Sequence, residues 1–451
     1  MTTLDTLTWI ERAEIILVFA GLALLVLAPR LERNAIATAI IGLLAAAAAI
    51  ACSVQDGGAG RLPLVVTGAA IAGAMLLLRK AELFDERQRP ESAALVLIGG
   101  IGAIVLSTGT SMLELALGVE MLSLSGAALI AFGRGQRPLE AGFKYFLLTA
   151  VTFATFLFGM ALVFVGTGSL AIPTLTSSAP HMQLVVACGA GLMVIGLAFK
   201  LAVIPVHFGA LDAYTAGPAS FVGFVMMASK LGAGFALAKL AVGMGTSIQT
   251  LLMGLGVATI AFGVVASFAQ TDFRRLLAYS AVAHAGFIAL AAASAKDTSG
   301  MTAVPMGKEV VGFYIVCYGA AALLCFAAMA GTGTDGYLTA HLGSASKGLG
   351  RGRSLALLVG LLSLAGVPPT PGFFAKLAVL QASYHAFGII PTTVAALGGV
   401  LGVIYYLKPM PDLLASTTNT DTKQGGFSAF LWLLIVLGLG ASPMLAWRLA
   451  S

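Results

Sequence analysis

Runs of about twenty apolar residues, the length that carries a helix across the hydrocarbon of a bilayer, recur along this chain between short polar or Gly/Pro-rich segments. No fold in water could bury them all. Hydrophobic residues occupy 59% of the 451 positions and charged residues only 10%, and the mean hydropathy is +0.98, far from the balance of a water-soluble domain. A transmembrane barrel would show short alternating segments instead. The chain is therefore read as all-α and polytopic, with many of its 55 glycines letting helix backbones approach closely.

The runs fall near 13–29, 34–53, 62–79, 92–109, 111–132, 142–166, 183–211, 218–240, 248–269, 274–294, 308–330, 354–386, 389–408 and 427–448, which makes fourteen spans. The seventh is interrupted at Pro205 and the twelfth within "GVPPTPG", residues 366–372. A proline inside a helix removes a backbone donor and clashes with the preceding turn, so both spans should be broken.

Basic residues give the orientation. Loops after odd-numbered spans hold fifteen of them: Arg30, Arg33, Arg79, Lys80, Arg87, Arg89, Arg134, Arg137, Arg274, Arg275, Lys347, Arg351, Arg353, Lys408 and Lys423. Loops after even-numbered spans hold four, Arg61, Lys239, Lys296 and Lys308. The positive-inside rule then places the odd loops in the cytoplasm and both termini outside. The net charge of +6 is spread over these loops as a topology signal, and no nucleic-acid partner is expected.

The two interrupted spans lie five apart. That spacing predicts two five-helix units of opposite insertion, spans four to eight and nine to thirteen, a pattern by which transporters place polar backbone at mid-membrane. The organisation expected is a three-helix segment over 1–90, a first unit over 91–241, a second, inverted unit over 242–409 and a final helix over 410–451. The N-terminal "MTTLDTLTWIERAEIIL" lacks the basic segment and cleavage site of a signal peptide, so its apolar run is expected to be retained as a helix. Cys52, Cys188, Cys317 and Cys325 lie singly in apolar runs; they are read as buried small residues, with neither a disulfide nor a metal site.

Charges inside the spans carry the chemistry. Lys144, Lys200, Lys230 and Lys376 lie within or at the edge of apolar runs, where each costs roughly 2.5 to 3.5 kcal/mol at mid-bilayer. Snorkelling suits Lys144, a turn or two inside its span. Glu120 lies far from either end of span five, and Glu114 is about 240° away around the helix. A buried glutamate takes a proton or finds a cation; a purely structural ion pair is the alternative. Glu140 and Lys144 have the favourable i, i+4 spacing. His284, deep in "LLAYSAVAHAGFIAL", reads alone as packing or as function, and the nearby lysines favour function. His207 follows Pro205, where unwound backbone admits water. Burial disfavours a charged lysine and a neighbouring carboxylate restores it, so moving the carboxylate's charge makes the lysine release a proton. The chain shows no phosphate loop, dinucleotide fingerprint, iron–sulfur cysteine set or haem-binding histidine pair, so its energy source is expected to be a gradient or a partner.

The stretches "GVEMLSLSGAALIAFGRGQRPLEAGFKYFLLTA", "GLAFKLAVIPVHFGALDAYTAGPA", "ASKLGAGF", "QTDFRRLLAYSAVAHAGFIAL" and "GVPPTPGFFAKLAVL" resemble the antiporter-like membrane subunits of respiratory complex I over roughly residues 90–410. The resemblance implies fourteen helices, two inverted five-helix repeats and breaks in helices seven and twelve. It puts the family's helix-five glutamate on Glu120, its central lysines on Lys200 and Lys230, and its helix-six lysine on Lys144. Its helix-ten histidine falls on His284 and its helix-twelve lysine on Lys376, and His207 matches a histidine usual after the first break. The "LSL" after Glu120, the "EAGFKY" motif and a lysine in helix twelve favour one member over its sisters. Departures are "FGALDAY", which lacks the usual Trp and Thr-Pro, and the extra Pro371.

The resemblance implies a proton-translocating subunit, without a cofactor of its own, in the membrane arm of NADH:quinone oxidoreductase in a bacterial inner membrane. NADH, FMN, iron–sulfur clusters and quinone belong to partner subunits, and sister antiporter-like and small membrane subunits are the neighbours. Alternatives are a subunit of a multisubunit cation/proton antiporter or membrane-bound hydrogenase, and a non-catalytic scaffold. Lys200→Met is expected to abolish pumping by the reconstituted complex; unchanged pumping would remove Lys200 from the path.

Overall fold

The computed structural model describes residues 8–31, 34–55, 61–77, 88–172, 180–296, 307–330, 350–414, 426–444 and 447. Numbered by membrane crossing, the helices are α1 (Trp9–Val26), α2 (Ala35–Gln55), α3 (Arg61–Leu77), α4 (Arg89–Thr108), α5 (Met112–Ala131) and α6 (Gln136–Thr167). They continue with α7a (Gln183–Leu201), α7b (Phe208–Ala216), α8 (Ala219–Met244), α9 (Thr246–Phe268), α10 (Phe273–Ala293) and α11 (Lys308–Met329). The last are α12a (Arg351–Ala365), α12b (Pro371–Phe387), α13 (Ile389–Leu407) and α14 (Gly426–Ala441). Short helical turns at Ala28–Leu31 and Met410–Leu414 follow α1 and α13.

Ten of these helices are long and apolar enough to cross a membrane unaided. The other crossings have local reasons for falling short. α1 carries Glu11, Arg12 and Glu14 in its first turns, α3 and α14 are short, and α12 is cut in two. The expected fourteen spans and both interruptions are present. Arg33, Arg79, Lys80, Arg87, Lys347 and Lys423, used for the orientation, lie outside the described residues.

Local chemistry sets the helix ends. Ser111 accepts from the backbone N–H of Glu114, whose carboxylate accepts from the N–H of Ser111; this reciprocal box supplies partners for donors that a helix start leaves free. Asp272 opens α10 in a similar way, accepting from Arg275 N at 2.8 Å. Two buried arginines close helix ends. Arg274 donates to the Gly217 and Tyr214 carbonyls at the end of α7b, at 2.6 and 3.3 Å. Arg353 donates to the Ala328 carbonyl at 2.9 Å and to that of Ala330, at the end of α11. A cation at a helix C-terminus also meets the negative end of the helix dipole.

α8 and α11 are buried throughout their apolar lengths and α10 nearly so. They form the centre. α6, α9 and α13 lie outside and display large apolar side chains such as Phe143, Phe158, Val265 and Val400, as expected of surfaces facing lipid or neighbouring subunits. Cys188 departs from the expected burial: it is exposed on α7a, one turn from the exposed Leu184, because that face of the helix points outward.

Glycine allows α6 and α7a to approach closely. A Cβ at Gly159 of α6 would stand 2.4 Å from the Gly189 carbonyl of α7a, whereas one at Gly191 would meet nothing within 4 Å. Gly159→Ala should therefore destabilise the fold by about 1–3 kcal/mol through overpacking. Gly191→Ala should be neutral or stabilising by up to about 1 kcal/mol through helix propensity. Thermal unfolding of the two purified variants in one detergent checks the contrast.

Candidate functional site

Both interrupted helices end in the same way. After Leu201, Ala202 turns left-handed with φ +69°, and after Ala365, Gly366 does so with φ +79°. Val203 N then donates to the Ala198 carbonyl at 2.9 Å and Val367 N to the Leu362 carbonyl at 3.1 Å, the six-to-one bond of a Schellman end. Ala202 adopts this conformation without being glycine, at a cost of roughly 1–2 kcal/mol. Further on, Ile204 N donates to Thr259 Oγ1 of α9 at 3.2 Å.

Each break leaves a last-turn carbonyl that takes a lysine. Lys230 of α8 donates from Nζ to the Leu201 carbonyl at 3.1 Å. Lys376 of α12b donates to the Ala365 carbonyl at 2.7 Å. A carbonyl freed inside a membrane requires a donor, and an ammonium is the strongest one available. The two lysines thus serve corresponding carbonyls from different elements, α8 in one unit and the second half-helix in the other.

Lys200 is held differently. It is 2% exposed, donates to Tyr145 Oη of α6 at 3.3 Å, lies 4.9 Å from the centre of that ring, and feels the Glu120 carboxylate electrostatically. Glu120 itself is half-buried on α5. The expectation of full burial fails because Glu120, although deep along the helix, shares the face of α5 that exposes Leu113, Leu117 and Leu124.

His284 joins the two units. Its Nδ1 lies 2.7 Å from Tyr314 Oη of α11 and its Nε2 3.1 Å from Tyr406 Oη of α13; with a neutral ring, one nitrogen donates and the other accepts. The Tyr318 ring stands 4.6 Å from the imidazole, with Lys230 Nζ 5.7 Å from its centre. On the other side, Phe287 stacks on Tyr314 at 5.8 Å and lies 5.8 Å from Lys376 Nζ. Polar and aromatic groups therefore connect Lys230 through His284 to Lys376. Lys200 and Glu120 extend the line at the first unit.

Two expected residues sit off this line. Lys144 pairs with Glu140 at 2.6 Å and with Asp212 of α7b at 3.8 Å, its side chain 48% exposed, in a cleft of about 340 Å³ that Arg137, Arg275 and Tyr279 also line. That exposure agrees with the snorkelling reading and with the i, i+4 pair. His207 is 2% exposed and packs between Phe208 at 4.2 Å and Phe262 at 4.8 Å. Neither of its ring nitrogens has a geometrically defined hydrogen-bond partner among the described residues. Among those residues no cluster of His, Cys, Asp or Glu is arranged to hold a metal ion.

The sequence reading missed Tyr145, Tyr314, Tyr318, Tyr406 and Asp212. Its available signals were "FKY", which puts a tyrosine beside Lys144, the i, i+4 pair Tyr314 and Tyr318, and "IYYL" inside an otherwise apolar span. Lys376→Met should cost about 1.5–3 kcal/mol of local stability, as loss of a charge-assisted bond does. Deuterium exchange at the backbone amides of Gly366, Val367 and Thr370 should then accelerate, while Lys200→Met, which removes no bond to a break, should leave them at the wild-type rate.

The family described as NADH:quinone oxidoreductase/Mrp antiporter, transmembrane, matches residues 109–402. A protein from Acidithiobacillus ferrooxidans named NADH-quinone oxidoreductase subunit N is 32% identical over 378 residues, covering 79% of this chain and 76% of that protein. A chain of respiratory complex I from Thermus thermophilus, solved with bound aureothin, superposes with a TM-score of 0.81 at 28% identity, over 97% of this chain and 98% of that one. An archaeal membrane-bound sulfane sulfur reductase superposes equally well, at 0.81 and 22% identity, over 97% and 96% of the two chains. So does the Mrp complex of a Dietzia species, at 0.81 and 19% identity, over 98% and 96%; at these identities the last two likenesses speak to the fold alone.

Proposed function

The chain belongs to the NADH:quinone oxidoreductase/Mrp antiporter membrane family, and from that premise we propose that it is the N-type, proton-translocating subunit in the membrane arm of a NADH:quinone oxidoreductase. The observation that carries this reading is the pair of helix breaks, each with a lysine on its freed carbonyl, linked through His284. Membrane-embedded ionisable side chains in such a row are the material of a proton path. Fold likeness does not separate complex I from antiporter or other respiratory assemblies. Identity of 32% to a subunit N over most of the chain favours complex I.

In this mechanism redox work in partner subunits changes the charge state around Glu120. Lys200, which feels that carboxylate, passes the change to Lys230, and protons move by way of His284 toward Lys376. Lys144 and His207 act beside this path: Lys144 at the cleft it shares with Asp212, His207 at the break that admits water. Oxidation of NADH takes place in partner subunits holding FMN, iron–sulfur clusters and quinone. This chain supplies the proton carriers. The units are a three-helix segment to residue 90, two inverted five-helix repeats over 91–241 and 242–409, and a final helix. The likeness to a bacterial subunit N supports a bacterial cytoplasmic membrane, and the excess of basic residues in the odd loops supports both termini in the periplasm.

Gentle purification of the tagged protein from its native membrane should yield a large assembly that oxidises NADH with quinone. Cation-exchange partners without redox chains would transfer the chain to the antiporter class. Within the assembly, Lys230→Met should lower proton pumping by about a hundredfold or more, the low end for loss of a positioned proton-transfer group. Wild-type pumping would leave only a scaffold role for that lysine. A C-terminal alkaline phosphatase fusion should be active, and an inactive fusion would reverse the orientation.

A further inference from the structure

His284 sits eleven residues beyond the start of α10 at Phe273, about 16 Å along the axis at 1.5 Å per residue, and it is 4% exposed. A proton carrier so deep needs a connection to the surface. Its Nε2 lies 3.1 Å from Tyr406 Oη, which in turn hydrogen-bonds Ser280 Oγ, one turn closer to the start of α10. The Tyr405 hydroxyl stands beside those of Ser280, Tyr406 and Ser267, with the two tyrosine rings 4.5 Å apart. Ser267 is one residue from the end of α9. There Lys408 donates to the Phe268 carbonyl at 2.7 Å and is exposed. The hydroxyls therefore form a file from the ring toward the face on which α9 and α13 end and α10 begins.

We propose that Tyr405, Ser280 and Tyr406 are the relay through which His284 exchanges protons with this Lys408-bearing face, separately from its link to Lys230 and Lys376. A hydroxyl both donates and accepts, so it can take one proton while releasing another. A proton arriving at Tyr405 displaces that phenol's own proton to Ser280, Ser280 passes its proton to Tyr406, and Tyr406 passes its proton to Nε2. Each hydroxyl ends unchanged. His284, starting with its proton on Nδ1, becomes imidazolium until Nδ1 releases that proton toward Tyr314. Ser267 stands at the outer end: at rest its hydroxyl donates to the Gly263 carbonyl at 2.7 Å, and because a hydroxyl rotates to suit its partner it can turn to Tyr405 and hand on a proton while accepting another. Phe268, set edge-on to Tyr405 at 5.9 Å, fixes the outer ring.

The inference rests on His284 as a proton carrier, and the experiment separates the two. Tyr406→Phe, Ser280→Ala, Ser280→Thr and His284→Gln are introduced into the assembled complex, and pumping in membrane vesicles is measured beside NADH oxidation, with Tyr384→Phe on the exterior of α12b as control. Tyr406→Phe and Ser280→Ala should each slow pumping about fivefold or more, Ser280→Thr should restore it, and Tyr384→Phe should match wild type. Wild-type pumping in Ser280→Ala and Tyr406→Phe, with His284→Gln impaired, overturns the relay and leaves the histidine its role. Wild-type pumping in His284→Gln overturns the reading beneath both. If Tyr406→Phe does not assemble, the Ser280 pair decides: a loss in alanine restored by threonine supports the relay, and equal rates refute it.

Discussion

A backbone carbonyl that loses its helical partner inside a membrane must be given another donor, and the structure depends on how this is done twice. Lys230 supplies the donor at the end of α7a and Lys376 at the end of α12a. Either lysine alone would be a costly charge in hydrocarbon, and either break alone would leave bare polar backbone. Set together, each offsets the other. The arrangement also means that a change in the lysine's protonation alters what the helix end is bonded to, so charge and local backbone are not independent.

Arginine does a related task at the rim. Arg274 and Arg353 close the ends of α7b and α11 from within buried surroundings, with a guanidinium fork that stays charged. Lysine is found instead at the central breaks. The division is chemically sensible, because a permanent cation suits a permanent joint and a group that can give up its proton suits a path.

Much of this was legible in the sequence because both signals are rare. Prolines at 205, 368, 369 and 371 stand out in apolar runs, and so do single lysines, so the breaks and the amines are legible in the sequence alone. Their mutual bonds are not, because a carbonyl acceptor has no residue type of its own. Tyr145, Tyr314, Tyr318 and Tyr406 were hidden for another reason: in a hydrophobic span a tyrosine looks like packing until its hydroxyl is seen to face a lysine or a histidine. Glu120 shows the opposite error. Distance from the helix ends suggested full burial, but depth along an axis says nothing about which face of the helix a residue occupies.

α8 has no outside. Nearly all its residues are buried, and it touches helices of both repeats while carrying Lys230. In a densely packed interior, sliding such a helix by one turn would require every surrounding helix to repack at once. The central element is mechanically a keel, against which side chains and water can rearrange while the frame stays still. A proton path that runs past such a spine is served by small reorientations of side chains rather than by movement of the helix that carries Lys230.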